Sequence, residues 1–255
     1  MISKKPICLL RTGVFAFGGL VALVQLLAAL LSFDPTANYF VRSAALPIVA
    51  CVLTGLGVLC ALVLAFLDKK EHATPSRFAF LAPAVCFCAL CPALFASIGT
   101  SVVVADRLAI VSMIFCLLAS LFCLLSIFLK DEKQRGLLAL LGLSPIVALA
   151  SLTLFFYFDK SIEMNSPLKV ALQAGLLFGM FLFLCEVRRL LGRPLPRLLA
   201  GLRLALFPVA SLGSCLLIPL AIAGRFQRLD YLLGGLLLLS LQATLVFDLF
   251  PAKHD

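Results

Sequence analysis

The chain has 255 residues, 63% of them apolar and 13% charged, about half the charged share of a soluble domain, and its net charge is +9. That composition excludes a water-facing surface over most of the molecule. The basic excess does not point to nucleic acid either, because the 21 Lys and Arg fall in loop-sized clusters between apolar runs and form no long basic face.

Eight apolar runs follow in chain order, most of them near the ~20 residues a helix needs to cross ~30 Å of hydrocarbon. They are Thr12 to Leu31, Ala44 to Leu67, Phe78 to Ile98, Leu108 to Leu129, Gly136 to Tyr157, Val170 to Cys185, Leu198 to Ala223 and Tyr231 to Phe247. Continuous Leu-rich apolarity, without the short alternating segments of a barrel, selects helices. Lys4, Lys5 and Arg11 give the first run the charge layout of a signal peptide. Its apolar core is too long for one and no small-residue cleavage pattern follows, so a retained span is expected. Pro83 and Pro92 in the third run, with Pro208 and Pro219 in the seventh, predict loosened helices of the kind that line transporter paths, although Pro is also common in ordinary membrane helices. The sixth run is short and holds Gly175 and Gly179 at small-xxx-small spacing, which predicts a closely packed central helix.

Lys and Arg near span ends are retained on the cytoplasmic side. Fifteen fall on one side: Lys4, Lys5, Arg11, Lys69, Lys70, Arg77, Lys130, Lys133, Arg135, Arg188, Arg189, Arg193, Arg197, Arg203 and Lys253. Six fall on the other: Arg42, Arg107, Lys160, Lys169, Arg225 and Arg228. The imbalance predicts cytoplasmic N- and C-termini. Tyr39, Tyr157 and Tyr231 all fall on the outer side, where interfacial tyrosines belong.

The halves echo one another at an offset of about 125 residues. Arg11 and Gly13 answer to Arg135 and Gly136, and Phe33-Asp34 to Phe158-Asp159. Further pairs are Thr36 with Ser161, Asn38 with Asn165, Arg42 with Lys169, Arg77 with Arg203, Pro83 with Pro208, Pro92 with Pro219 and Asp106 with Asp230. The common order predicts two parallel four-helix repeats, residues 1–131 and 132–255, with any central site between them.

Polar groups in the outer loops (Asp34, Thr36, Asn38, Asp159, Ser161, Glu163, Asn165, Lys169) suit helix ends and caps, or else a polar mouth that binds a ligand or a partner. Deeper candidates are Gln25, Gln173 one turn after Lys169, and Glu186, three residues before Arg189 and within ion-pair reach of it on a helix. The ligand-binding set expected from sequence is therefore Gln25, Asp159, Glu163, Asn165, Lys169, Gln173, Glu186 and Arg189. No metal is expected: Cys88 and Cys91 of Cys86-x-Cys88-x-x-Cys91 share a helix face but Cys86 does not, and Cys116 and Cys123 lie on another span. Nearly all of the ten cysteines lie inside apolar runs, where Cys behaves as a small hydrophobe. No cofactor and no catalytic residue are expected. His72 and His254 lie in a loop and the C-terminal tail, and the chain lacks H-E-x-x-H, G-x-S-x-G and a phosphate-binding Gly loop.

Glu163-Met164-Asn165-Ser166-Pro167-Leu168-Lys169, Gln173, Glu186-Val187-Arg188 and Leu191-Gly192-Arg193-Pro194-Leu195-Pro196-Arg197 resemble a pattern shared by uncharacterised multi-spanning membrane proteins of Firmicutes bacteria. The resemblance covers residues 158–197, implies a bacterial cytoplasmic membrane and carries no activity, so no site residue is transferred by it. The expectation is thus an all-α, polytopic membrane bundle that is not an enzyme. Its partners are membrane lipid and a membrane protein, with no nucleic acid. It binds a small apolar or amphipathic molecule, or a membrane partner, between its repeats. The alternatives are a small-molecule facilitator or permease subunit, and a structural component of an envelope complex.

Overall fold

The computed structural model describes residues 4–41, 45–67, 77–99, 102–128 and 134–249. Arg42, Lys69, Lys70, His72, Lys130, Lys133, Lys253 and His254 lie outside the described residues, as do the side chains of Lys4, Lys5, Arg11 and Arg77. In chain order the elements are α1 (Lys4–Leu31), β1 (Phe33–Asp34), β2 (Tyr39–Phe40), α2 (Ala45–Leu67), a 3-10 turn (Arg77–Phe80) leading into α3 (Leu81–Ser97), and α4 (Val103–Phe128). They continue with α5 (Arg135–Leu141), α6 (Leu143–Phe158), α7 (Pro167–Leu190), α8 (Arg197–Ile222) and α9 (Leu229–Leu249). Counting α5 and α6 as one interrupted span, eight spans are long and apolar enough to cross a membrane, and each overlaps one of the runs read from sequence. The two strands form a small antiparallel hairpin, Phe33 opposite Phe40.

Two expectations about the spans need correction. The sixth is not short: α7 has 24 residues, about 36 Å, because Lys169 and Glu186 lie within the helix where the apolar run alone had excluded them. The break also falls elsewhere. Among the described residues α8 runs unbroken through Pro208 and Pro219, and α3 through Pro92, whereas the fifth span is interrupted at Gly142. There Pro145 lacks the N–H that would bond the Leu141 carbonyl, and the Ser144 hydroxyl donates to that carbonyl instead at 2.7 Å. A side chain at Gly142 would collide with Val187 Cγ2 at 2.8 Å and meet Phe122 Cε2 at 3.0 Å, so the interruption sits tight against α7 and α4.

Helix α8 is the axis of the bundle, packing against α1, α2, α7 and α9. Small residues set how closely α1 and α2 approach it. A Cβ on Gly57 would lie 2.9 Å from Pro208 Cβ, and one on Gly201 would lie 2.8 Å from Ala65 Cβ. Where lipid is as apolar as leucine, this close dispersion contact is what holds helices together. On the other side α3, α4, α6, α7 and α9 form a closed series of neighbours. Its interior is filled by Phe80, Phe87, Phe122 and Phe183, ring centroids 6.0 to 6.5 Å apart, with Phe183 touching the other three. Gly175 and Gly179 behave as their spacing predicts: Cβ atoms there would meet Leu238 at 2.6 Å and Leu241 at 2.9 Å, so α7 is recessed to receive α9.

Helix pairs cross the boundary between residues 1–131 and 132–255 throughout, with α1 and α2 on α8, α3 on α9 and α4 on α6. The halves are interleaved.

Candidate functional site

Polar side chains gather at the two ends of the bundle. The end that the charge count assigns to the outside is built on a repeated turn. After α1, the Asp34 carboxylate accepts from the Thr36 backbone N–H at 2.9 Å and from its hydroxyl at 2.7 Å. After α6, the Asp159 carboxylate accepts from the Ser161 N–H at 3.0 Å and hydroxyl at 2.8 Å. This is the local side-chain-to-backbone bonding that Asp favours at chain reversals. The Thr36 hydroxyl, its backbone N–H and further backbone bonding hold the Asp34 carboxyl below its ordinary value of 3.8.

The two turns differ in burial, and burial makes the second one a hub. Asp159 is 1% exposed. Besides Ser161 it accepts from Arg228 Nη2 at 3.1 Å and from the Tyr231 hydroxyl at 3.2 Å, and its backbone carbonyl accepts from Lys169 Nζ. Arg228 also pairs with Asp230 at 2.6 Å, bonds the Ser161 hydroxyl and lies over the Tyr231 ring at 5.4 Å. Burial works against the Arg228 charge, but the bond and charge of Asp230, with Asp159 behind them, raise its pKa above the ordinary guanidinium value. Two carboxylates and two cations thus close on one another, joining the end of α6 to the starts of α7 and α9.

The same end is tied to the first half of the chain. Ser166 precedes Pro167, the first residue of α7, but its hydroxyl does not cap that helix; it donates to the Asn38 carbonyl at 3.0 Å. Tyr39 bonds the Glu163 carboxylate, and burial followed by that bond raises the Tyr39 pKa above its ordinary 10.0. Arg225 donates to the Leu30 carbonyl at 2.8 Å, satisfying the C-terminus of α1.

At the opposite end, Glu186 is 2% exposed and pairs with Arg189 at 2.6 Å, as the i, i+3 spacing predicts, and also with Arg203 of α8 at 3.7 Å. Between the ends lies a neutral clamp on α8 and α9. Gln242 Nε2 donates to the Phe207 carbonyl at 2.8 Å and to the Ser211 hydroxyl at 2.7 Å, while its Oε1 accepts from Ser214 at 3.2 Å.

Of the expected ligand-binding residues, the structure brings Asp159 and Lys169 together, places Glu163 against Tyr39, and pairs Glu186 with Arg189. Asn165 is exposed on the 159–166 connection. Gln25 is buried on α1, and Gln173 donates to the Thr153 carbonyl of α6 at 3.4 Å. Gln173 and Glu186 are thirteen residues apart on one helix, about 20 Å, so with Gln25 on the far side of α8 the three line no common pocket. Arg228, Asp230, Tyr231 and Arg203 were missed as site residues. Sequence showed them only as loop charges, a repeat match and an interfacial tyrosine. Tyr231 corrects that last reading: it is fully buried, its hydroxyl committed to Asp159. Among the described residues no three His, Cys, Asp or Glu side chains converge as metal ligands would.

Eight apolar spans, interleaved through glycine contacts and fastened by ionic clusters at their ends, define a polytopic, all-α integral membrane protein. No family model, curated protein or solved structure matches the chain.

Proposed function

We propose that the protein is a non-catalytic component of a bacterial cytoplasmic membrane, with both termini in the cytoplasm, that works by docking to a membrane-protein partner. One observation carries this reading: the described charged groups lie at the two ends of the bundle, where three arginines pair with three carboxylates, and the middle of the described spans is left to apolar side chains and neutral hydrogen bonds. A coupled transporter uses a charged group near mid-membrane, because such a group is costly there and is kept only for a function. The glycine contacts of α1 and α2 with α8 bring these helices close at that part of the boundary between the halves, which favours a partner over a small molecule held there.

Duplication of a four-helix unit is supported by the matching Asp34–Thr36 and Asp159–Ser161 turns, by Asp106 and Asp230 in the first turns of α4 and α9, and by left-handed glycines at Gly99 and Gly224. Packing has diverged on this account, since α7 lies against α8 whereas the corresponding α2 and α3 each pack on other helices.

The test is cross-linking of the full-length chain in native membranes, followed by mass measurement in mild detergent. A discrete complex heavier than the monomer, retained by Gln173→Ala and Glu186→Gln, supports the reading. A monomer throughout overturns it, as does solute flux through reconstituted liposomes that Glu186→Gln diminishes. A facilitator or permease subunit is the second reading, favoured by the interruption at Gly142, since broken helices line transport paths.

A further inference from the structure

The turn joining α7 to α8 is rigid, strongly basic and flanked by exposed leucines. Helix α7 closes with Gly192 at φ +65°. The Arg193 N–H bonds the Arg188 carbonyl at 3.0 Å and the Gly192 N–H bonds Arg189 at 2.9 Å. Pro194 and Pro196 then fix the backbone up to the first residue of α8, and Arg188 Nη2 donates across the turn to the Pro194 carbonyl at 3.2 Å.

The charges on this turn are unbalanced. Its one carboxylate, Glu186, is already engaged by Arg189 and Arg203. Among the described residues no carboxylate lies within ion-pair distance of Arg188, Arg193 or Arg197, and Arg188 Nε is buried without a hydrogen-bond partner. Arg193 and Arg197 are exposed. The opposite end of the bundle contrasts with this, since there Arg228 is held between the carboxylates of Asp159 and Asp230. Beside the arginines, Leu191 is 53% and Leu198 is 55% exposed, and Leu184, about two turns back along α7 from Leu191, is 37% exposed.

We propose that the α7–α8 turn binds an anionic phospholipid, its phosphate held by Arg193 and Arg197 with Arg188 behind them and its acyl chains lying along Leu184, Leu191 and Leu198. Guanidinium groups suit phosphate because their planar donors match its oxygens in pairs. Basic pockets between helix ends at a membrane surface recognise such headgroups. The leucines distinguish a lipid from a soluble phosphate compound, which would gain nothing from them.

The experiment uses the full-length protein in a neutral detergent, titrated with phosphatidylglycerol, with phosphatidylcholine and with inorganic phosphate, bound lipid being counted by native mass spectrometry. Phosphatidylglycerol is expected to bind at least tenfold more tightly than phosphatidylcholine, and Arg193→Gln with Arg197→Gln to remove most of that preference. Arg107→Gln with Lys160→Gln, which takes two exposed charges from the other end, is expected to leave it unchanged. Both sites are exposed, and an unaltered melting temperature in phosphatidylcholine verifies that each variant folds. The proposal is overturned if the wild type shows no preference for the anionic lipid, if both double variants lose it equally, or if inorganic phosphate competes at the concentration at which the lipid binds.

Discussion

Asp159→Ala is the perturbation that the structure makes most informative, because the same turn occurs twice and only one copy is buried. Removal of the Asp159 carboxylate takes away the acceptor for Ser161, Arg228 and Tyr231 together. The Tyr231 hydroxyl, on a fully buried side chain, is left without its acceptor, which costs about 1–3 kcal/mol. Deleting one member of a buried ion pair costs about 3–5 kcal/mol. Here that figure is an upper bound, because the Arg228 side chain is 29% exposed and keeps Asp230 at 2.6 Å. The expected loss is therefore about 3 kcal/mol, measured as equilibrium unfolding in mixed detergent micelles. Asp159→Asn retains one acceptor oxygen and should lose about half as much. Asp34→Ala removes the equivalent bonds from a part-exposed turn and should change unfolding far less. Equal effects at Asp34 and Asp159 would refute the argument, since burial and the bonds from Arg228 and Tyr231 are what separate the two.

Four further outcomes follow from the same geometry. Gly175→Ala places a Cβ 2.6 Å from Leu238 and should destabilise by about 1–3 kcal/mol, whereas Gly19→Ala, with nothing within 4 Å, should be neutral or mildly stabilising in the same unfolding assay. Gln242→Leu breaks the α8–α9 clamp and should cost from about 0.6 kcal/mol, the average for a hydrogen bond between membrane helices, up to about 1.7 kcal/mol, the largest such value. A lipid-soluble maleimide should label exposed Cys51 and Cys88 and spare buried Cys116 and Cys123, as read by peptide mass spectrometry; equal labelling would show that α4 does not face the core as described. For the outer hairpin the pH signs are opposite. Asp34 has a lowered pKa, so its contribution is present above 3.8 and is lost as pH falls through the folded value; Tyr39 has a raised pKa, so its contribution is present below 10.0 and is lost as pH rises through the folded value. Amide exchange at Thr36 should be slowest between those limits and accelerate outside them.

Span number and position were legible because hydrocarbon imposes one rule on every segment: about 20 apolar residues, with all backbone groups bonded within the helix. What the rule conceals is depth and direction. Lys169 and Glu186 seemed to mark the ends of a short helix, but each is satisfied by a partner distant in sequence or on a neighbouring turn, so the helix runs past both. Proline content pointed to the third and seventh spans as the loosened ones, and both helices run through their inner prolines. The break went instead to the fifth, where Gly142 gives the backbone room against α4 and α7 and Ser144 satisfies the carbonyl that Pro145 leaves open. The outer hub was half legible. Asp159 and Lys169 stood out as polar residues beside a span, whereas Arg228, Asp230 and Tyr231 acquire their role only because α9 begins beside α6, a contact between segments some seventy residues apart. The sequence echo between Asp34 and Asp159 could reveal the common turn but not its unequal burial. That difference arises because the second copy is covered by Arg228 and Tyr231, and it turns a local chain reversal into the fastening of three helices.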